Sequence, residues 1–522
     1  MRKFLSHIKP NLLFKIASYT FLSVSFILLV VYTELYIDKL LNSDNASDLV
    51  YANLLIKEHS LLSKNWFYST DLRIISTQFV YGFFFLFIRD WHAVHVLGNV
   101  VMFLILLAAL YFLCNQLNLR DWFPVIGGIM LLPISADYLN YMLFITAYIA
   151  HVSAAFCLIA LFLLTLRTEN KLRWVWFSLG LILSLLEGLG GLRIILILGI
   201  PLFGASFLFF LIKQDKQRAW MLFYSFLFLF ATIVGYLIND KILANYFTFK
   251  HYTTVLTDFS MDGLQRFIVD VMRLLGFPLN VELMTVTGIV ASVSCLGTLV
   301  LAVCSAVLIW KDREAYGDFT CFYTLFVGVA FLAELFLYCF TDMWFVPRYN
   351  IPQVLCLYPL IFLALDRKIK DKNLLAFYSA VGLTGITFLS SCIVYKYCAR
   401  DTTQGFRQAA DYLVSEGYES GYATFWNANI LTEYSDGVLE LWILQVSDPV
   451  GIFDLDDTEN WLQKKSHATT PPEGKIFLLA SENEHESGTI SQLDETNLIW
   501  NKSGVFVYGF DSYEQAKTLL EN

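Results

Sequence analysis

The chain has 522 residues, 57% of them hydrophobic and only 16% charged, with 46 Phe and a net charge of −9. A mean hydropathy of +0.58 means more apolar surface than a water-soluble chain of this length can bury, so lipid covers part of it. The acidic balance argues against nucleic acid as a partner, which calls for a basic face. The nine Cys lie mostly in apolar runs without a CxxC pair and read as small hydrophobes, not as a disulfide framework or zinc site.

A membrane span takes roughly 20 apolar residues. Runs of that kind lie at about 12–33, 93–114, 122–138, 141–166, 174–188, 193–212, 219–238, 283–309, 319–340, 349–366 and 374–396. The chain is therefore expected to be a polytopic α-helical membrane protein with about 11 transmembrane helices. An acidic loop follows the first run where a small-residue cleavage site would otherwise stand, so that run reads as an anchor. The fifth run is short, and the Gly-rich "EGLGGLR" joining it to the sixth is a candidate re-entrant turn.

Charge sets the orientation. Arg2, Lys3, Lys9 and Lys15 precede the first span, which places the N-terminus in the cytoplasm. Threading the spans from there puts Arg120, Arg167/Lys171/Arg173, Lys213/Lys216/Arg218, Lys311/Arg313 and Arg367/Lys368/Lys370/Lys372 on one side. The same threading sends three segments to the other side: a first outer loop, 34–91, a second long one, 239–280, and everything after about 398. Residues 1–398 are thus the membrane domain. Residues 399–522 turn polar and acidic and read as an extracytoplasmic α/β domain. "QGFRQAADYLVSEG" has helical spacing, "GYATFW", "VLELWIL", "KIFLLA" and "GVFVYGF" read as strands, and "DSYEQAKTLLEN" closes as a helix.

The candidate chemistry concentrates in the first outer loop. In "LLNSDNASDLVYANLL" the two acids Asp44 and Asp48 stand four residues apart, before and at the first turn of a helix whose apolar spacing suggests that it lies in the interface. They either cap that helix or one of them faces a cavity as a general base. Further on come Asp71 and Arg73, which either pair or cap or else bind a sugar or phosphate, and then an apolar segment of about 15 residues, too short to span and placed as a second interfacial or partly embedded helix. "WFVPRYN" puts Arg348 and Tyr349 at the outer membrane boundary, where Arg would offer a planar fork to phosphate oxygens or simply snorkel. Inside the spans, His151, Glu187, Arg193 and Glu334 need a reason to be there, and most map to the outer half of the bundle. Asn45-Ala46-Ser47 and Asn501-Lys502-Ser503 are formal glycosylation sequons.

One span, an outer loop with an early acid, "Y-A-x-L-L", a Trp/Tyr-rich polar turn, an embedded helix, about ten further spans and an outer α/β domain together resemble the GT-C superfamily of membrane glycosyltransferases. Protein O-mannosyltransferases, the aminoarabinose transferase of lipid A and oligosaccharyltransferase catalytic subunits are members. The resemblance implies an inverting transferase that takes a sugar from a polyprenyl-phosphate carrier to an extracytoplasmic acceptor: an envelope glycan, lipid or protein. By position it makes Asp44, then Asp48, the catalytic carboxylate, with Asn45 standing where the family carries a second adjacent acid. Asp71, Arg73, His151, Arg348 and Tyr349 become substrate-binding residues. Use of a divalent metal is left open, since family members differ. The implied setting is the inner membrane of a bacterium, with the C-terminal domain outside. Two rivals are a secondary transporter, which would more often show internal repeats, and a flippase-type assembly protein whose acids only cap helices.

Overall fold

The computed structural model describes residues 10–70, 72, 74–212, 214–250, 254–278, 281–445, 453–486, 493 and 495–521. The membrane domain begins with α1 (Pro10–Tyr36), followed by α2 (Ser43–Lys57), α3 (Gln78–Phe85), α4 (Trp91–Gln116), α5 (Phe123–Met130), α6 (Ala147–Arg167) and α7 (Leu172–Leu189). A π-helical turn, Ile195–Gly199, leads into α8 (Ile200–Ile212). Then come α9 (Lys216–Lys241), α10 (Met261–Leu274), α11 (Val286–Lys311), α12 (Asp318–Phe340), α13 (Ile351–Lys370) and α14 (Leu374–Cys398). Among the described residues ten helices are long and apolar enough to cross a bilayer, so this is a multi-pass membrane protein.

The third of the eleven expected spans, 122–138, is not a helix of that kind. Its first helix ends at Met130, because Pro133 offers no N–H and disfavours helical backbone before it, and helical backbone resumes only as a short turn at Ala136–Tyr138. The segment still passes from one end of the bundle to the other. Asp121 pairs with Lys15 at 3.5 Å and Trp122 donates to Asp366 at 2.9 Å, both at the far end, whereas Asn140 accepts from Asn42 at 3.1 Å, beside the start of α2. Irregular backbone is tolerated here because protein surrounds it: Leu131 and Leu132 are fully buried, and Tyr138 donates to the Met130 carbonyl at 2.7 Å. The alternation of the helices therefore survives the loss of a helical span. The basic residues at the ends of α6, α11 and α13 gather at the end opposite the α2 side; Lys213 lies outside the described residues.

The expected interfacial helix after the first span is also different. Ser43, Asn45, Ala46, Ser47, Asp48, Leu49, Tyr51 and Ala52 are all buried, because α3 covers one side of α2 and the C-terminal domain covers the other. α3 is the short apolar segment, and it leaves Phe79 and Phe83 exposed beside buried Tyr81.

The C-terminal domain runs α15 (Gln404–Ser415), β1 (Ser420–Thr424), α16 (Phe425–Tyr434), β2 (Glu440–Leu444), β3 (Ile476–Ser481), β4 (Leu498–Lys502), β5 (Val505–Phe510) and α17 (Tyr513–Glu521). The sheet order is β2-β1-β3-β5-β4, with β1 parallel to β2 and β3, and β5 antiparallel to β3 and β4. "GYATFW" stops being a strand at Thr424, and Phe425 opens α16 directly; β4 has no counterpart among the expected strands. Apolar side chains of alternate strand positions fill both faces: Ala423, Leu441, Phe477 and Val507 on one, Tyr422, Trp442, Leu478 and Tyr508 on the other.

Candidate active site

Asp44 and Asp48 are freed from capping by their neighbours. Asn42 is the N-cap of α2: its side chain accepts from the N–H groups of Asp44 and Asn45, and the Asn45 side chain accepts in return from the Asn42 N–H at 2.9 Å. This reciprocal box satisfies the orphan donors of the helix. Asn45 is buried in it, so the first sequon is structural; Asn501, in β4, is exposed.

With the cap complete, the two carboxylates point elsewhere. Asp44 meets Arg348 across 3.4 Å, with each side chain about a quarter exposed. Asp48 is buried and accepts from the Thr77 hydroxyl at 2.7 Å. Arg348 stands on a single 3-10 turn, Pro347–Asn350, at the head of α13. Its guanidinium lies over the Tyr141 ring at 5.1 Å, and its buried Nε has no hydrogen-bond partner among the described residues.

Asp44, Asp48, His151, Arg348 and Tyr349 line one cavity of about 690 Å³. It opens where α7, α9 and α12 end and α6 and α13 begin. The wall between α6 and α7 carries His151, whose Nδ1 is 3.9 Å from the Glu187 carboxylate. Arg193 lies over the rings of Tyr148 and Tyr349 at 5.2 and 5.5 Å. Asp71 and Arg73 lie outside the described residues, although Ser69, Thr70 and Leu72 beside them line the cavity. Among the described residues no three His, Cys, Asp or Glu side chains are grouped to hold a metal ion.

The roof of the cavity is assembled from three distant parts of the chain. Phe67 N–H donates to the Gln463 carbonyl at 2.8 Å and Leu462 N–H to the Phe67 carbonyl at 2.9 Å. On the other side Tyr68 N–H donates to Thr248 and Lys250 N–H to Ser69. Lys250 also pairs with Glu459 at 2.8 Å and lies over Trp461. Below, the Tyr51 hydroxyl donates to Tyr68, which donates to the Ser63 carbonyl, each at 2.8 Å. Burial pushes the Tyr51 phenol up to about 12, so the pair stays neutral and fastens the roof strand to α2. Lys250 and Trp461 belong to the cavity but carry no local signal in the sequence.

The sequence matches no family model and no curated protein. Solved structures do match. ArnT from Cupriavidus metallidurans in its apo state superposes with a TM-score of 0.61 over 95% of this chain and 98% of that one, at 11% identity. This is the GT-C fold. ArnT bound to undecaprenyl phosphate gives a TM-score of 0.58, 10% identity and coverage of 93% and 97%. The oligosaccharyltransferase of Archaeoglobus fulgidus, tethered to an acceptor peptide containing an NVT sequon, gives 0.51 at 9% identity over 88% of this chain and 69% of that one. The GT-C arrangement of bundle and appended α/β domain is thus present along nearly the whole chain.

Proposed function

We propose that the protein transfers a sugar from a polyprenyl-phosphate carrier to an acceptor hydroxyl outside the cytoplasmic membrane, with inversion at the anomeric carbon. The observation that carries this reading is the pairing of a carboxylate and a guanidinium, Asp44 and Arg348, on the wall of a large cavity at one end of the bundle. The ArnT structure holding undecaprenyl phosphate on the same fold supports a polyprenyl-phosphate donor. The basic residues at the opposite end support a cytoplasmic N-terminus and an extracytoplasmic cavity, as in a bacterial inner membrane.

Asp44 takes the proton of the acceptor hydroxyl. The hydroxyl oxygen forms its bond to the anomeric carbon as the bond from that carbon to the phosphate oxygen breaks. The electron pair leaves with the phosphate, where Arg348 neutralises the growing charge. A single contact to Asp44 leaves the other guanidinium donors available for phosphate oxygens. Asp48, held by Thr77, is the less mobile acid and shapes the wall beside the base. His151 and Tyr349, with Asp71 and Arg73, would bind the donor head group or the acceptor, and the prenyl tail would lie between spans. Purified protein in lipid with a panel of polyprenyl-phosphate sugars tests this. Release of polyprenyl phosphate with formation of a glycoside of inverted anomeric configuration is expected; retention at the anomeric carbon would sink the single-displacement mechanism.

A further inference from the structure

α10 crosses the cavity end of the bundle without lining the cavity. Its inward face carries Gly263, Asp270, Val271 and Leu274, while Met261, Gln265 and Arg266 face outward. Both ends dock on backbone. A Cβ on Gly263 would lie 2.0 Å from the Tyr338 carbonyl oxygen, and one on Gly276, at φ +85°, 2.2 Å from that of Ile134. Only glycine permits such approaches.

The last turn of α10, carrying Asp270 and Arg273, then reaches toward both reacting groups. Toward Arg348, the Tyr338 hydroxyl donates to the Asp270 carboxylate at 2.9 Å and accepts from the Asn350 amide at 2.8 Å. Asn350 is fully buried on the same turn as Arg348. The Tyr338 ring stacks on Phe345 at 4.0 Å, so one side chain grips both flanks of that turn. Toward Asp44, Arg273 forks the Asp137 carboxylate through Nε and Nη2, each at 3.1 Å. The chain runs on from Asp137 to Asn140, which accepts from Asn42, the cap of the helix bearing Asp44. The contacts close a circuit with the Asp44–Arg348 pair on one side and α10 on the other.

We propose that α10 is a brace, with Asp270, Tyr338 and Arg273 as positioning residues that set Arg348 against Asp44. The proposal deepens the transferase reading and rests on it for its kinetic consequence. At 3.4 Å with one contact, the pair is looser than a charge-assisted bond of about 2.7–2.9 Å. Left to itself it would close into a fork, and each group would satisfy the other. Held apart, both remain available to substrate.

Two measurements test the brace. In Tyr338→Phe the ring stack stays and the hydroxyl goes. With sites counted by polyprenyl-phosphate binding, kcat should fall about 10- to 100-fold, the range for displacements near 1 Å, while donor KM stays within about threefold. A purely structural residue would lower the number of sites and leave kcat per site unchanged, and that result overturns the brace. In Arg273→Lys, which keeps the charge and loses the fork, amide hydrogen exchange should rise at 345–351, on the Asp270–Tyr338 side of the brace, as well as at 137–144. A rise confined to 137–144 overturns it. The exchange measurement needs no turnover, so it still decides the brace if the wild-type protein proves not to transfer sugar.

Discussion

The two ends of the bundle use the same residue types in opposite ways. At the end away from the cavity, charge ties helices together. Arg218, buried at the start of α9, pairs with Asp318 of α12 at 3.1 Å, Lys368 meets Asp312 at 3.1 Å, and Lys370 meets Asp366, which also accepts from Trp122. At the cavity end, Asp44, Arg348, His151, Glu187 and Arg193 stand around about 690 Å³ of open space. Asp44 and Arg348 stand 3.4 Å apart there, and amides and hydroxyls such as Asn42, Asn45, Thr77 and Tyr338 fix the elements that carry them. Arg218 and Asp318 are in direct contact at 3.1 Å, whereas Asp44 and Arg348 meet through one 3.4 Å contact on the wall of open space.

The largest test of that contrast is Asp44→Asn, which keeps shape and capping but removes the base. Transfer should fall by about 10³-fold, within the range for losing a general base, with unchanged folding in detergent; near-normal turnover would return Asp44 to a structural role. Arg348→Ala should cost about 10²-fold in kcat/KM, comparable to losing one electrostatic stabiliser of the transition state, and should weaken binding of polyprenyl phosphate alone. Unchanged binding would make Arg348 an interfacial anchor. At the opposite end Arg218→Met should do the reverse. Its side chain is 8% exposed against 38% for Asp318, so the stranded acid stays hydrated and the loss should be about 1 kcal/mol of stability, the upper range for a solvent-exposed pair. Turnover per folded molecule should hold; a raised donor KM at normal stability would break the comparison.

Much of this was legible in the sequence, and the failures share a cause. The expected third span still passes from one end of the bundle to the other although it is not one helix, because its two ends and not its interior decide where it runs. The break at Pro133 escaped because hydropathy does not distinguish lipid-facing from protein-buried apolar sequence. The α2 helix looked amphipathic because its covers, α3 and α16, come from elsewhere in the chain. Asp44 and Arg348 were singled out by the GT-C resemblance and by their positions just after one span and just before another, and they line one cavity wall 3.4 Å apart. Lys250 and Trp461 could not be found that way, since they reach the cavity only through backbone pairing of Phe67 with Leu462 and of Tyr68 with Thr248. Asn45, which stands where an adjacent acid would be expected, has its own task as the second half of the cap.

The smallest effect concerns the strand of the roof supplied by the C-terminal domain, and it carries the contrast to a third place. Lys464, bridged to Trp66 in the roof, and His467 both meet the Glu440 carboxylate, His467 through Nε2 at 2.7 Å. Burial alone would push Glu440 up, but the hydrogen bonds from His467 and Lys464 overcome it and hold the group at about 2, below its ordinary 4.5. A carboxylate lowered by folding adds stability that is complete above its unfolded value and is lost as pH falls toward its folded one. The contribution of Glu440 should therefore be present at neutral pH and fade between about 4.5 and 2. Because its side chain is 41% exposed, solvent screens the interaction and the effect on the thermal midpoint should be modest. Measured on the full chain, the midpoint of Glu440→Gln should lie below wild type at pH 7 and converge with it as pH drops through that window. Parallel curves would show that Glu440 contributes no pH-linked stability.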